Sequence, residues 1–233
     1  MSLVLHDLVG RDDRRFSPTC WRTKLALAHK GLAFTTVPTR FLAIRAIGDG
    51  RFRTVPTLED GGRWVTDSDA IAAWLEAAHP DRPSLFGGEG GQALAEFVRQ
   101  WVQVVLHGQL ARLVLLDIHD HLANAADQAY FRTSREAQFK VPLEEVVAGR
   151  EAWVEPFRAS LEPLRQLVRS RPFLGGEAPL YPDYMVLGAF QWARSVSPFA
   201  SGLLAADDPV RAYLLRLMEL HDGLARRTVA YPL

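Results

Sequence analysis

The stretch FSPTCWRTKLALAHKGL, residues 16–32, contains the start and the end of a single helix. Its apolar residues recur with the 3.6-residue period of one helix face: Trp21, Leu25, Ala28 and Leu32. Ser17 and Pro18 stand where a helix begins, and Gly31 stands where a C-terminal cap belongs. The stretch therefore predicts an amphipathic helix. Ser17 and the only cysteine, Cys20, lie near its start, and either could carry chemistry.

Short β-prone runs flank this helix. LVLHDL at 3–8 precedes it, and AFTTVP at 33–38 follows it. Residues 40–54 are arginine-rich and punctuated by glycine, which predicts a weak, irregular helix. TVPTLEDGGRWVTD at 54–67 then reads as a β-hairpin, and a further amphipathic helix follows it. The predicted order is βαβαββα.

A Pro- and Gly-rich stretch, PDRPSLFGGEGG at 80–91, marks a change of pattern. We expect one domain over residues 1–80, a linker over 81–91 and a second, all-α domain over 92–233. Several apolar helix faces are visible beyond the linker. The stretch from about 117 to 150 is too polar and irregular for a prediction of its elements.

Composition narrows the classes of function. Basic and acidic residues number 27 each, so no net field attracts nucleic acid or an anionic membrane. One cysteine cannot form an intramolecular disulfide or a thiolate metal site, which favours a reducing compartment, the cytoplasm. We expect no signal peptide, and no stretch close to the roughly 18 apolar residues of a membrane span.

One cluster invites a metal-site interpretation. DIHDH at 117–121 offers two histidines and two carboxylates, but His119 and His121 would point about 200° apart on a helix. A solvated, polar helix end is the better interpretation, and no metal is expected.

Three local motifs stand in order on the predicted elements. They are Ser17-Pro18 at the first helix, Val55-Pro56 before the hairpin, and TDSDAI at 66–71 before the next long helix. Together with the domain order they resemble the cytosolic glutathione S-transferases. Within that superfamily the chain is most similar to the bacterial β-aryl-etherase type and to related fungal serine transferases. Stretches that carry this similarity include HPDRPSLFGG, YFRTSRE, FLGGEAP and DYMVLGAFQW.

The resemblance implies a thioredoxin-like N-terminal domain followed by an all-helical C-terminal domain. It also implies that Ser17 donates its hydroxyl proton to the sulfur of glutathione, the co-substrate. Unpaired N–H groups at a helix start favour an anion, and a thiolate there can have a pKa of roughly 3.5–7.5. The simpler alternative is that Ser17 only caps the helix.

Cys20 competes with Ser17 for the reactive role. In glutaredoxins and the omega-like transferases the reactive thiol occupies the first position of the motif, which here is Ser17. Cys20 lies one turn further along, where a small apolar residue packed under the helix start is the simpler interpretation. A mixed disulfide with glutathione through Cys20 remains an alternative.

The remaining glutathione contacts follow from the resemblance. It implies a cis Val55–Pro56 bond that exposes the Val55 backbone to the cysteinyl part of glutathione. Asp67 and Ser68 would bind the γ-glutamyl group at a helix start, although an ordinary N-cap gives the same pattern. Arg53 is the expected partner of the glycine carboxylate. Thr54 departs from the Lys, Gln or Arg that many transferases have beside Val55.

The second substrate is expected to be a hydrophobic, aromatic electrophile bound against the helical domain. The residues expected to line its site are Phe16, Trp21, His107 and Leu115. The resemblance implies cleavage of a β-aryl ether by the glutathione thiolate, and it implies a homodimer. Two other classes stay open: a glutathione-dependent thiol oxidoreductase acting through Cys20, and a non-catalytic binding module of the same fold.

One further expectation concerns the segment EAPLYPDYMVLGAF. It matches the buried capping segment of transferase C-terminal domains, in which Ser or Thr commonly precedes Asp by three residues. Leu180 stands at that cap position here. We therefore expect Asp183 to bond within the first turn of its helix without a reciprocal capping box.

Overall fold

The N-terminal half is built on a mixed sheet. The computed structural model describes residues 3–233, and the strands are Leu3–Leu8 (β1), Phe34–Thr39 (β2), Thr57–Asp60 (β3) and Arg63–Thr66 (β4). Their spatial order is β2-β1-β3-β4, with β1 parallel to β2 and antiparallel to β3. β3 and β4 form the predicted hairpin. Gly61 and Gly62 at its turn have φ of 55° and 93°, values that glycine adopts without steric cost.

The helices of this half are Pro18–His29 (α1) and Ser68–Ala78 (α2). The weak helix expected within 40–54 is a short 3₁₀ turn, Leu42–Ala46. α1 contacts α2 and two helices of the C-terminal half, Tyr181–Val196 and Pro209–Gly223. The predicted βαβαββα order is confirmed, with the second helix reduced to this single 3₁₀ segment.

The C-terminal half is helical. Its elements are Glu89–Trp101 (α3), a π-helical segment Val102–His107, Gly108–Asp120 (α4), Ala125–Phe139 (α5), Leu143–Val146 (α6), a 3₁₀ segment Arg150–Trp153, Val154–Ser160 (α7), Glu162–Ser170 (α8), Tyr181–Val196 (α9), a 3₁₀ segment Pro198–Gly202, and Pro209–Gly223 (α10). The predicted fold class, a thioredoxin-like domain followed by an all-α domain, is confirmed.

The polar stretch for which the sequence predicted no element contains α5. Asn124 caps its start, since its side chain accepts a hydrogen bond from the Asp127 N–H at 2.9 Å. Arg132 pairs with Glu136 on the same helix and with Glu144 beyond it, both at 2.9 Å. A helix held by caps and ion pairs has a weak apolar period, which explains why pattern alone missed it.

The expectation that no stretch has the length and composition of a membrane span requires correction. α3, the π-helical segment and α4 form one continuous helix, Glu89–Asp120, that is long and apolar enough to cross a bilayer. Core helices of soluble proteins share this length and composition. This helix buries Val98, Leu106 and Leu113 in the hydrophobic core, so we assign it to the folded core.

The central helix, α9, is buried over almost its whole length. At its start the buried Asp183 carboxylate accepts hydrogen bonds from the N–H groups of Leu174 and Leu180, each at 2.8 Å, and from the Tyr213 hydroxyl at 2.9 Å. Leu180 has no side-chain acceptor, so only the Asp183 half of a capping box forms. The expected bond of Asp183 within the first turn is confirmed.

α9 touches α1 at a point where no side chain would fit. A Cβ atom on Gly188 would lie 2.5 Å from the carbonyl oxygen of Pro18, the first residue of α1. Real Cβ atoms do not approach backbone this closely. The absence of a side chain at Gly188 therefore sets the distance between the two halves beside Ser17.

We predict that Gly188→Ala destabilises the protein by about 2 kcal/mol, because two packed helices must separate to admit the methyl group. Gly90→Ala is the matched control, since a Cβ at this helical glycine meets nothing within 4 Å. The control should be neutral or stabilising by up to about 1 kcal/mol. Urea unfolding measures both, and equal losses of stability in the two variants would contradict this account.

Candidate functional site

Ser17 stands at the mouth of α1. It is the N-cap residue, its Oγ accepts the Cys20 N–H at 3.2 Å, and its side chain lines a cavity of about 520 Å³. The Thr19 hydroxyl lies 3.0 Å from Ser17 Oγ, and either hydroxyl can donate. A serine oxygen that accepts at a cap retains its own O–H. The capping role is therefore present, and it leaves the Ser17 proton available to a group in the cavity.

Cys20 lies beneath this site. Its side chain is fully buried, and burial together with the nearby Asp7 carboxylate raises the pKa of the thiol well above its usual range. A thiol must ionise to act as a nucleophile. The interpretation of Cys20 as a packed residue under the helix start is confirmed.

A buried charge cluster continues below Cys20. The Asp7 carboxylate accepts hydrogen bonds from Lys24 at 2.9 Å and from Arg15 at 3.2 Å. Trp21 packs against this charge cluster. The Lys24 ammonium lies 3.4 Å from the centroid of the Trp21 ring, and the Trp21 indole N–H donates to the Arg15 carbonyl at 2.6 Å. Trp21 is only 2% exposed and does not line the cavity with Ser17, contrary to the expectation for the electrophile site.

Val55 and Pro56 adjoin the start of α1. The Val55–Pro56 peptide bond is cis, so this part of the prediction is confirmed. The Thr19 hydroxyl points to the Val55 carbonyl at 3.5 Å, and the Asp67 N–H donates to the Pro56 carbonyl at 3.3 Å. One chain of contacts thus joins the start of α1, the residues before β3 and the start of α2.

Asp67 and Ser68 form the start of α2. The exposed Asp67 carboxylate accepts hydrogen bonds from the N–H groups of Asp69 and Ala70 at 2.9 and 3.0 Å, and Ser68 is buried. Asp67 has φ of 78°, which is costly for a residue with a side chain. Such strained residues concentrate at ligand sites. The two hydrogen bonds show that Asp67 caps α2, and the strain is a separate signal that the sequence did not contain.

Arg53 lies on the exposed segment before Val55. Its guanidinium donates to the carbonyls of Gly50 and Phe52 at 2.5 and 2.9 Å. The side chain is therefore engaged with its own loop in this structure. It retains further N–H donors for a carboxylate.

Residues from both halves of the fold line the cavity at Ser17. Of the residues expected at the electrophile site, it includes Phe16, His107 and Leu115. It also includes residues that the sequence analysis did not name: Phe41, Phe131, Arg135, Phe139 and Trp192. Three of these, Phe131, Arg135 and Phe139, lie on α5, the helix that the sequence pattern failed to predict.

His107 closes one side of the cavity. Burial and the nearby Arg22 charge lower the pKa of His107 to about 3, so the ring is neutral near pH 7. Its Nδ1 lies 3.2 Å from Gln103 Oε1, and its ring packs edge-on against Trp192 at 5.5 Å. Nε2 is buried and has no hydrogen-bond partner among the described residues. A neutral ring with a free nitrogen contributes polarity to the wall without contributing charge.

Comparisons with known proteins all indicate the same family. Profiles of the glutathione S-transferase N-terminal domain and C-terminal domain match residues 16–78 and 93–214. A curated relative, the glutathione S-transferase-like protein ustS of Aspergillus flavus, is 25% identical over 209 residues, covering 78% of this chain and 75% of the relative.

Solved structures agree with these matches. Glutathione transferase GSTFuA2 from Phanerochaete chrysosporium is 29% identical, with a TM-score of 0.75 over 96% of this chain and 93% of that one. The transferase CsGST63524 of Ceriporiopsis subvermispora, solved in complex with glutathione, is 23% identical with a TM-score of 0.84 over 95% and 98% of the two chains. With both domain profiles matched on a fold of this kind, the chain belongs to the glutathione S-transferase family.

Proposed function

We propose that this chain is a glutathione transferase in which Ser17 stabilises the glutathione thiolate. The observation that carries the proposal is the position of the Ser17 hydroxyl, at the N-terminus of α1 and on the wall of the cavity that both halves of the fold line. Helix N-termini favour anions, and a hydroxyl that donates to sulfur acts in the same direction. The nucleophile is then the ligand's sulfur.

We propose that glutathione lies along the contacts that join the starts of α1 and α2. The Val55 backbone beside Pro56 would pair with its cysteinyl residue, as an added strand does. Asp67 and Ser68 would hold the γ-glutamyl group, and Arg53 would bind the glycine carboxylate. The strained backbone of Asp67 and the short path of hydrogen bonds from Thr19 to Asp67 support this placement.

The electrophile in this proposal is hydrophobic and aromatic. Phe16, His107 and Leu115 line the cavity with Ser17, and further aromatic side chains complete its wall. The specific reaction we propose is β-aryl ether cleavage, supported by the motif resemblance alone. A C–S bond forms at the carbon that bears the aryloxy group, the C–O bond breaks, and the aryloxide leaves with the bonding pair and takes a proton from water.

We also keep three broader expectations as proposals. They are a division of the chain into residues 1–80 and 92–233 around a linker at 81–91, a cytoplasmic location, and a homodimer. The dimer has support in the exposed part of the long helix. Phe97 and Val104 are 69% and 70% exposed and lie about two turns apart on the solvent-exposed face of this continuous helix. We propose that this face packs against a second copy of the chain.

The thiolate proposal predicts a shift in the pKa of bound glutathione. In the unmodified protein, thiolate absorbance in ultraviolet difference spectra should appear well below the free thiol pKa of about 8.5. Ser17→Ala should move the transition back toward that value and lower kcat/KM by about 10- to 100-fold, because a hydrogen bond to a charged group is lost. Cys20→Ala is the control and should keep both properties.

Other outcomes of that experiment identify the alternatives. Loss of activity in Cys20→Ala with retention in Ser17→Ala would indicate a thiol oxidoreductase. Binding of glutathione with its free-solution pKa in every variant would indicate a non-catalytic binding module. Either result would overturn the role given to Ser17.

The dimer proposal predicts that Val104→Asp weakens self-association, because a buried, unpaired carboxylate would face the partner copy. Sedimentation velocity across a protein dilution series should show a larger monomer fraction for this variant than for the unmodified chain. Val229→Asp places the same charge at another exposed apolar residue and should leave the distribution unchanged. A monomeric unmodified chain would contradict the proposal directly.

A further inference from the structure

Arg135 is a cation in the cavity wall without an acidic partner. It lies on α5, its Nη1 donates to Ser134 Oγ at 3.0 Å, and its guanidinium lies 4.9 Å from the centroid of the Phe131 ring. Within residues 3–233, no carboxylate oxygen lies within 4.0 Å of the Arg135 guanidinium nitrogens. The side chain is half-buried, and burial lowers its pKa from the ordinary arginine value. The guanidinium nevertheless stays charged, since arginine does not lose its proton in proteins.

The neighbouring arginine on the same helix shows the contrast. Arg132 donates to the carboxylates of Glu136 and Glu144, with N–O distances of 2.9 to 3.0 Å. Arg132 therefore has two acids on the outer surface, while Arg135, three residues later, has none and faces the cavity. Helix stability accounts for the first arrangement. It does not account for a charge placed against apolar side chains, which is unfavourable unless a counter-charge arrives.

Among the described residues that line this cavity, Arg135 is the only one with a formal charge near pH 7. His107 is neutral, and the glutamine side chains of the wall carry no charge. Most of the remaining lining is aromatic or aliphatic. The wall thus presents one fixed positive charge in an apolar surface, with the Ser17 hydroxyl on the same cavity.

We propose that the electrophile of this transferase carries a carboxylate, that Arg135 binds this group, and that the apolar wall holds the rest of the molecule with its reactive carbon toward Ser17. The proposal rests on the proposed function. The planar guanidinium can donate two parallel N–H bonds to a carboxylate. The carboxylate does not react. The thiolate forms the C–S bond, and the leaving group departs with the electrons of the bond that breaks.

A pair of synthetic electrophiles tests the charge alone. Both 4-chloro-3-nitrobenzoate and 4-chloro-3-nitrobenzamide lose chloride to a thiolate, but only the first carries a negative charge. Arg135→Gln should lower kcat/KM for the benzoate by about 10- to 100-fold, and for the benzamide by less than about threefold. Comparing each variant with the unmodified protein cancels the different intrinsic reactivities of the two electrophiles.

Two variants accompany Arg135→Gln. Arg132→Gln removes a charge from the same helix outside the cavity and should leave the benzoate-to-benzamide ratio unchanged. Arg135→Lys keeps the charge without the planar pair of donors and should restore part of the benzoate activity. Equal losses for both electrophiles in Arg135→Gln, or the same change of ratio in Arg132→Gln, would overturn the proposal.

A binding measurement separates this inference from the proposed function. The preformed thioethers of glutathione with the two electrophiles are titrated into the protein by calorimetry. One outcome is that no conjugation is catalysed, the unmodified protein binds the benzoate thioether more tightly than the benzamide thioether, and the Arg135→Gln variant binds both equally. In that case the carboxylate site stands and the catalytic proposal fails. If conjugation proceeds and neither readout distinguishes acid from amide, the carboxylate site is wrong and the transferase proposal stands.

Discussion

The arrangement of the site depends on the close contact of α1 with α9 at Gly188. Because Gly188 has no side chain, the first turn of α1 lies directly on the central helix of the other half. The same helix reaches further points of the N-terminal half. Ser195 Oγ donates to the Arg15 carbonyl at 3.2 Å, and the Tyr181 hydroxyl donates to the Ser68 carbonyl at 2.9 Å. One buried helix therefore fixes the positions of both helix starts at which we place glutathione.

The depth of each group below the surface distinguishes Ser17 from Cys20. Ser17 caps α1 at the cavity wall, whereas Cys20 packs one turn inside, above the buried Asp7 carboxylate. Asp7 is held there by Lys24 and Arg15, and its negative charge disfavours a second anion nearby. The N-terminus of α1 therefore favours an anion in the cavity, whereas the Asp7 carboxylate beneath it disfavours a thiolate at Cys20.

The sequence was sufficient where local rules decide the structure. The apolar period of α1, the Gly61-Gly62 turn and the position of Ser17 follow from spacing and residue type alone. The cavity wall was harder to predict because it combines distant segments: Phe16 was named, but Phe41 and Phe131 were not. Trp21 was misplaced, since a period identifies the buried face of a helix without showing which buried layer that face meets. The positive φ of Asp67 leaves no trace in residue type.

The number of residues in the π-helical segment Val102–His107 determines which side of the long helix faces the cavity. A π turn contains an additional residue, so the chain beyond it is rotated relative to an uninterrupted α-helix. Ala111, Leu115 and Ile118, beyond the segment, line the cavity, whereas Phe97, before it, and Val104, within it, are exposed. Deleting one residue from the segment would turn everything downstream by about 100°. An insertion or deletion within the segment would therefore exchange the helix surface that lines the cavity for one that faces solvent.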